Sequence, residues 1–138
     1  MKYLHNNETS LRVRYGETDQ MGYCYYGNYA QFCEVGRVEA LRELGMSYRK
    51  MEEEGIMLPV SEYKIQYKAP AKYDDLLLIR TFVVKVDGAR IYFTYEILNE
   101  EEKLVAKAET TLVFVAKKTM RPIAAPKNFL QILNKNEK

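Results

Sequence analysis

Tyr15-Gly16-Glu17-Thr18-Asp19-Gln20-Met21-Gly22-Tyr23-Cys24-Tyr25-Tyr26-Gly27-Asn28-Tyr29 is where the chain changes character. Just before it, Leu11-Arg12-Val13-Arg14-Tyr15 alternates apolar and charged side chains, the period of a half-buried strand. After it, Tyr29, Phe32, Cys33, Gly36, Ala40, Leu41 and Leu44 recur three and four apart, on one face of a helix. Asn28 is a favourable N-cap with Gln31 three residues on, as in a capping box, and Gly45 is a natural stop. The expected helix therefore covers residues 28–44. Its apolar face carries Cys33, Gly36 and Ala40, small enough for a helix to approach a sheet closely.

Beyond this helix, Ser47 caps a shorter one expected to end near Gly55. From there the period returns to two. Ser61, Tyr63, Ile65 and Tyr67 alternate with polar residues, and segments 76–86, 90–98 and 104–115 are rich in β-branched and aromatic residues. Asp87-Gly88 is a hairpin signal, and residues 100–103 form a second turn. Pro122 and Pro126 end regular structure, residues 129–133 add a helical turn, and the polar residues after Leu133 read as a frayed tail. The order is one strand, one main helix, one short helix and four strands. It predicts an α+β fold in which a five-stranded antiparallel sheet wraps around a long central helix. One helix is too few to cover such a sheet and both its edges, so a homodimer or higher homo-oligomer joined through a strand edge is expected.

The 138 residues are expected to form one domain, with no repeat or linker to divide them. A formal net charge of +2 gives no case for nucleic acid. Two cysteines, Cys24 and Cys33, cannot build a disulfide framework or a metal site, so a reducing compartment is expected. The polar N-terminal segment has no apolar core of a signal peptide, and nothing approaches the ~18 apolar residues of a membrane span. The expectation is a cytoplasmic protein that needs no metal and no cofactor.

Within the quoted stretch, Asp19 precedes a helix N-terminus, where unpaired N–H groups and a partial positive charge gather. The pairing suits attack on a carbonyl: the N–H groups hold the developing oxyanion, and the carboxylate activates water or attacks directly. Gly22 and Gly27 would let backbone approach a ligand closely. The plainer alternative has Asp19 capping a turn and the glycines serving only the loop.

The string Thr18-Asp19-x-x-Gly22, Tyr26-x-Asn28-Tyr29 and Glu34-x-x-Arg37 resembles the 4-hydroxybenzoyl-CoA thioesterase family of hotdog-fold proteins, YbgC-like members among them. The likeness covers roughly residues 10–133, through the closing Arg121-Pro122-Ile123. It implies a hotdog fold, hydrolysis of an acyl-CoA to free acid and CoA, Asp19 as catalytic carboxylate, and a main-chain N–H at Tyr26 that polarises the thioester carbonyl. It also implies a dimer or tetramer with the site at the subunit interface, and coenzyme A as part of the substrate rather than a cofactor. YbgC-like relatives carry histidine where this chain has Tyr26, whereas hydroxybenzoyl-type members carry tyrosine.

Around that core, Gly22, Gly27, Asn28, Tyr29 and Glu34 are candidate substrate contacts. Tyr23, Tyr25 and Tyr29 are acyl-pocket wall or ordinary core. Glu34 and Arg37 are either a local ion pair on the helix or a pocket residue with its loop-holding partner. The phosphates of CoA call for cations, and Arg90 and the Lys117-Lys118 pair are candidates for them, Arg90 also by the resemblance. Cys24 and Cys33 are expected to be buried hydrophobes, and His5 to be solvated. A non-catalytic acyl-binding or scaffold protein is the competing reading. A dehydratase would need an acid–base pair with histidine, which the loop and helix lack.

Overall fold

The computed structural model describes residues 2–135. In chain order the elements are β1 (His5–Arg12), α1 (Tyr29–Glu43), α2 (Tyr48–Glu53), β2 (Ile56–Met57), β3 (Val60–Tyr67), β4 (Leu76–Asp87), β5 (Arg90–Leu98), β6 (Leu104–Val113), β7 (Val115–Ala116), β8 (Arg121–Pro122) and α3 (Lys127–Lys135). Five strands form one antiparallel sheet in the order β1-β4-β5-β6-β3. The expected turn at 87–88 joins β4 to β5, with Asp87 opposite Arg90.

Side-chain alternation puts Leu77, Ile79, Thr81 and Val83 of β4 and Ile91, Phe93, Tyr95 and Ile97 of β5 on the inner face, all buried. There they meet Phe32, Cys33 and Leu41 of α1. Gly36 is what permits this seat. A Cβ added there would stand 2.8 Å from Ile79 Cγ2 and overlap Thr81 Oγ1 as well. The helix lies chiefly over β1, β4 and β5, so the inner face of β3 is the part it leaves open. Ser47 caps α2 as expected, its Oγ accepting from the Lys50 amide at 3.1 Å.

Four local expectations are corrected. The first strand covers His5–Arg12 instead of 11–15, and Tyr15 lies in a 3-10 turn over Tyr15–Glu17. The hydrophobic pattern hid this strand because three of its inward residues, His5, Asn7 and Thr9, are polar and only Leu11 is apolar. His5 is buried and places Nε2 2.9 Å from Glu43 Oε1, while Asn7 Nδ2 donates to Glu43 Oε2 at 3.1 Å. His5 is thus a β1–α1 tie and not a solvated terminus. Asn28 makes no cap bond, because a 3-10 turn over Tyr26–Asn28 carries the helical path back past it. A small second sheet, β2-β7-β8, was unforeseen, its strands being two residues each. Finally, α3 continues through Asn134 and Lys135, and the last three residues of the expected tail lie outside the described residues.

Candidate active site

Residues 18–24 fold into a tight hairpin. Thr18 and Cys24 bridge across it, the Asp19 amide donates to Tyr23 O at 2.8 Å, and the Gly22 amide donates to Asp19 O at 2.9 Å. Gly22 has φ +81°, a left-handed turn that a side chain would strain. The turn folds back on its own carboxylate: Asp19 Oδ1 accepts from the amides of Met21 at 2.9 Å and Tyr23 at 3.3 Å. Asp19 is therefore held by two backbone donors, both on one oxygen. The hairpin is stitched to the segment before β4, with Tyr23 bridging Lys72 and the Cys24 amide donating to Ala71 O at 2.7 Å.

A second device ties the loop to the helix. Glu17 is buried, and its carboxylate accepts from the Arg14 amide at 2.7 Å and the Arg14 guanidinium at 3.1 Å. Its carbonyl accepts from the Tyr25 amide and from Asn28 Nδ2, each at 2.8 Å. Asn28 thus clamps the loop.

The helical path begins after Tyr25, which is extended (φ −63°, ψ 133°). Its first hydrogen bond runs from the Asn28 amide to Tyr25 O at 3.0 Å. The amides of Tyr26 and Gly27 precede that bond, as the leading N–H groups of a helix do. Tyr67 OH donates to Tyr26 O at 3.2 Å and fixes this terminus to the end of β3. Asp19, Tyr26, Tyr29, Tyr67, Lys68 and Pro70 line one cleft of about 360 Å³, with Met21, Tyr23 and Cys24 among its other walls. Tyr26 is 62% exposed and meets Tyr67 edge-on at 6.3 Å between centroids. Tyr29 is buried, 5.3 Å from Tyr67 and 5.5 Å from Phe32, and its burial pushes its phenol well up.

The structure brings Asp19, Tyr23, Tyr26 and Tyr29 together and leaves Tyr25 and the other candidates off the cleft wall. Gly22 shapes the hairpin, and Gly27 makes room for the ring of Tyr25, whose Cε2 would stand 2.8 Å from an added Cβ. Glu34 is exposed. Arg37 does not pair with it, because Arg37 lies on the buried side of α1 and donates from Nε to Tyr48 OH at 3.0 Å. Arg37 holds α2, not the loop. Arg90 is exposed at the far end of β4 and β5, and Lys118 lies in the turn between β7 and β8. A strand as long as β4 spans roughly 35 Å, so neither reaches Asp19 of its own chain. Three residues of this geometry, Glu17, Tyr67 and Lys68, were not singled out from the sequence. Only Arg14-x-x-Glu17, with capping-box spacing, carried a local signal.

Both thiols are buried and free. Burial, helped by the Glu17 charge, pushes Cys24 up to about 11, and burial pushes Cys33 up to about 12. A thiolate nucleophile is thereby disfavoured at neutral pH. Cys24→Ala should keep most of the activity, and iodoacetamide at pH 7.5 should leave the native chain unalkylated by mass spectrometry. Rapid labelling of Cys24 would contradict this environment.

Among the described residues no group of three or more His, Cys, Asp or Glu side chains could hold a metal, and no helix is long and apolar enough to cross a membrane. The thioesterase-like superfamily matches residues 13–133. The chain belongs to that superfamily. It is 35% identical over 126 residues to YneP of Bacillus subtilis, covering 91% of each chain. It is 35% identical over 120 residues to the acyl-CoA thioester hydrolase YbgC of Escherichia coli, covering 87% of this chain and 90% of that one. A DHNA-CoA thioesterase from Staphylococcus aureus superposes with a TM-score of 0.90 at 34% identity, covering 94% of this chain and 89% of the other. This thioesterase-like chain has the hotdog architecture of its superfamily: the antiparallel five-stranded sheet around α1.

Proposed function

We propose that the chain hydrolyses an acyl-CoA to the free acid and CoA, with Asp19 as the catalytic carboxylate and the Tyr26 N–H as the oxyanion donor. The observation that carries this is the shared cleft: a carboxylate fixed through one oxygen faces the start of a helical path whose first amides have no partner within the helix. With Oδ1 occupied by two amides, Oδ2 is the oxygen left to act. In the water route Oδ2 takes a proton as the water oxygen bonds to the carbonyl carbon. The negative charge moves onto the carbonyl oxygen, where the amide and the helix dipole stabilise it. The C–S bond then breaks, and the departing thiolate takes the proton back from Asp19. A pure binder has no use for a carboxylate held in this way. Side chains and amides of the chain supply every role, and two free buried thiols fit a cytoplasmic setting.

The active form in this reading is a homodimer or a tetramer built from dimers. β3 is an edge strand, and its inward residues Tyr63 and Tyr67 remain 36% and 47% exposed. Antiparallel pairing of β3 with its copy would lay the Val60 end of one chain beside the Tyr67 end of the other. Moving inward on the partner, the next strands are β6 and β5. Arg90 of the partner subunit then comes within about three strand spacings, roughly 15 Å, of the cleft. That is how Arg90 and Lys118, remote from Asp19 in one chain, would serve the CoA phosphates in a dimer.

Free-thiol release from a panel of acyl-CoA substrates tests the activity, and light scattering tests the assembly. Turnover of at least one thioester by a dimer or larger species is expected. Arg90→Ala should raise KM for acyl-CoA roughly tenfold with kcat little changed, the loss of one charge-assisted hydrogen bond. It should also narrow the gap between CoA and dephospho-CoA thioesters. A fully active monomer, or an Arg90→Ala chain with unchanged KM, would sink the interface part of the reading.

A further inference from the structure

We propose that Lys68 is the residue of the cleft that binds the phosphate of the pantetheine arm. The inference rests on the thioesterase reading above and adds to it a recognition residue in the same chain as Asp19. Lys68 follows the last residue of β3, and its amide and that of Ala69 both donate to Val105 O, at 2.8 and 3.1 Å. This shared acceptor fixes the backbone from which Lys68 joins the cleft that Asp19 also lines.

Charge accounting at the rim points to an anion. Glu17 is taken by Arg14, Asp74 lies 4.0 Å from Arg12, and Asp75 accepts from the Lys72 amide at 2.8 Å. Among the described residues no carboxylate forms an ion pair with Lys68 or with Lys72, four residues on. Two cations are thus left over on the segment that borders the cleft. Asp19, the one carboxylate in the cleft, is held by backbone amides instead.

Length agrees with charge. Asp19 pairs with Tyr23, and Tyr23 bridges Lys72, so Lys68 stands two strand spacings and four residues away. Four residues span at most roughly 13 Å, and the bend at Ala69 shortens this. The pantetheine arm joins its sulfur to its phosphate through two amide units, about thirteen bonds, which reach roughly 14 Å by the same measure. A thioester carbonyl beside Asp19 therefore sets the phosphate at Lys68, while the nucleotide of CoA, when there is one, continues toward the partner. The phosphopantetheine unit is common to CoA and to acyl carrier proteins.

The test compares two thioesters that differ only in that phosphate, acyl-4′-phosphopantetheine and acyl-pantetheine. The wild-type chain should show a KM for the phosphorylated arm roughly tenfold lower, a preference that Lys68→Gln abolishes and Lys68→Arg retains. Calorimetric binding of 4′-phosphopantetheine and pantetheine should show the same pattern. Binding that depends on Lys68 without any hydrolysis would overturn the thioesterase reading and keep this one. Sensitivity of acyl-CoA turnover to Lys68→Gln assigns the phosphate to CoA, and sensitivity of acyl-carrier-protein turnover assigns it to the carrier. A preference that survives Lys68→Gln overturns the proposal, as does an equal loss on both pantetheine thioesters.

Discussion

Asp19→Asn should lower kcat by roughly 10² to 10⁴ and leave KM nearly unchanged. The hairpin makes this substitution unusually clean. Asn keeps an amide oxygen that can accept from the Met21 and Tyr23 amides as Asp19 Oδ1 does, at 2.9 and 3.3 Å. What disappears is the negative charge on the second oxygen, the one that must take a proton or attack carbon. Loss of activity with an unchanged melting temperature would then report chemistry and not a collapsed loop. Tyr26→Phe is the control, because it spares the main-chain N–H and removes only the hydroxyl of an exposed ring. It should change kcat by less than about threefold, well under the loss of one oxyanion donor. A single turnover in ¹⁸O-water separates the two routes open to Asp19. Label in the enzyme carboxylate marks an anhydride, and label confined to the product acid with no acyl-enzyme trapped on rapid quenching marks activated water. Near-full turnover by Asp19→Asn would dispose of the mechanism, and a larger loss from Tyr26→Phe would move the leading role to the hydroxyl.

How much of this was legible in the residues follows from what each signal depends on. The helix and the β4–β5–β6 meander were, since their periods of 3.6 and two are imposed by burial on one face. Gly36, Ala40 and Cys33 marked the close face correctly. The first strand was misplaced because its inner side is served by a polar network: His5 and Asn7 meet Glu43, more than thirty residues away in the chain. Asn28 fits both a cap and a clamp by composition, and only the position of the Glu17 carbonyl decides between them. Asp19 was singled out by its place before a helix N-terminus and Tyr26 by the family resemblance, and both line the cleft. Lys68 and Tyr67 join the site because β3 lies beside β6 and not beside β4, a pairing no short stretch encodes. For the same reason Arg90 looked like a neighbour of the cleft when one chain places it a whole strand length away.

Gly36→Val should be the most damaging change away from the cleft, lowering the melting temperature by about 10 °C. An added Cβ at Gly36 collides with Ile79 Cγ2 at 2.8 Å and with Thr81 Oγ1, both on the buried face of β4. Neither neighbour can swing aside into solvent, so α1 must lift from the sheet. Overpacking of this kind costs about 1–3 kcal/mol per site, and two obstructing atoms put it at the upper end. For a chain of this size each kcal/mol moves the midpoint by roughly 2–4 °C. The effect should reach the chemistry as well, because the 3-10 turn over Tyr26–Asn28, which leads straight into α1, carries the amide proposed to hold the oxyanion. A helix displaced by a fraction of an ångström misaims them, so kcat should fall more than folding alone accounts for. Thr81 offers the internal check. Its hydroxyl is buried without a hydrogen-bond partner among the described residues, so Thr81→Ala removes the obstruction at little cost. Gly36→Ala combined with Thr81→Ala should then recover about 1 kcal/mol relative to the sum of the single changes. Strict additivity by differential scanning calorimetry would show that Thr81 is not what Gly36 makes room for.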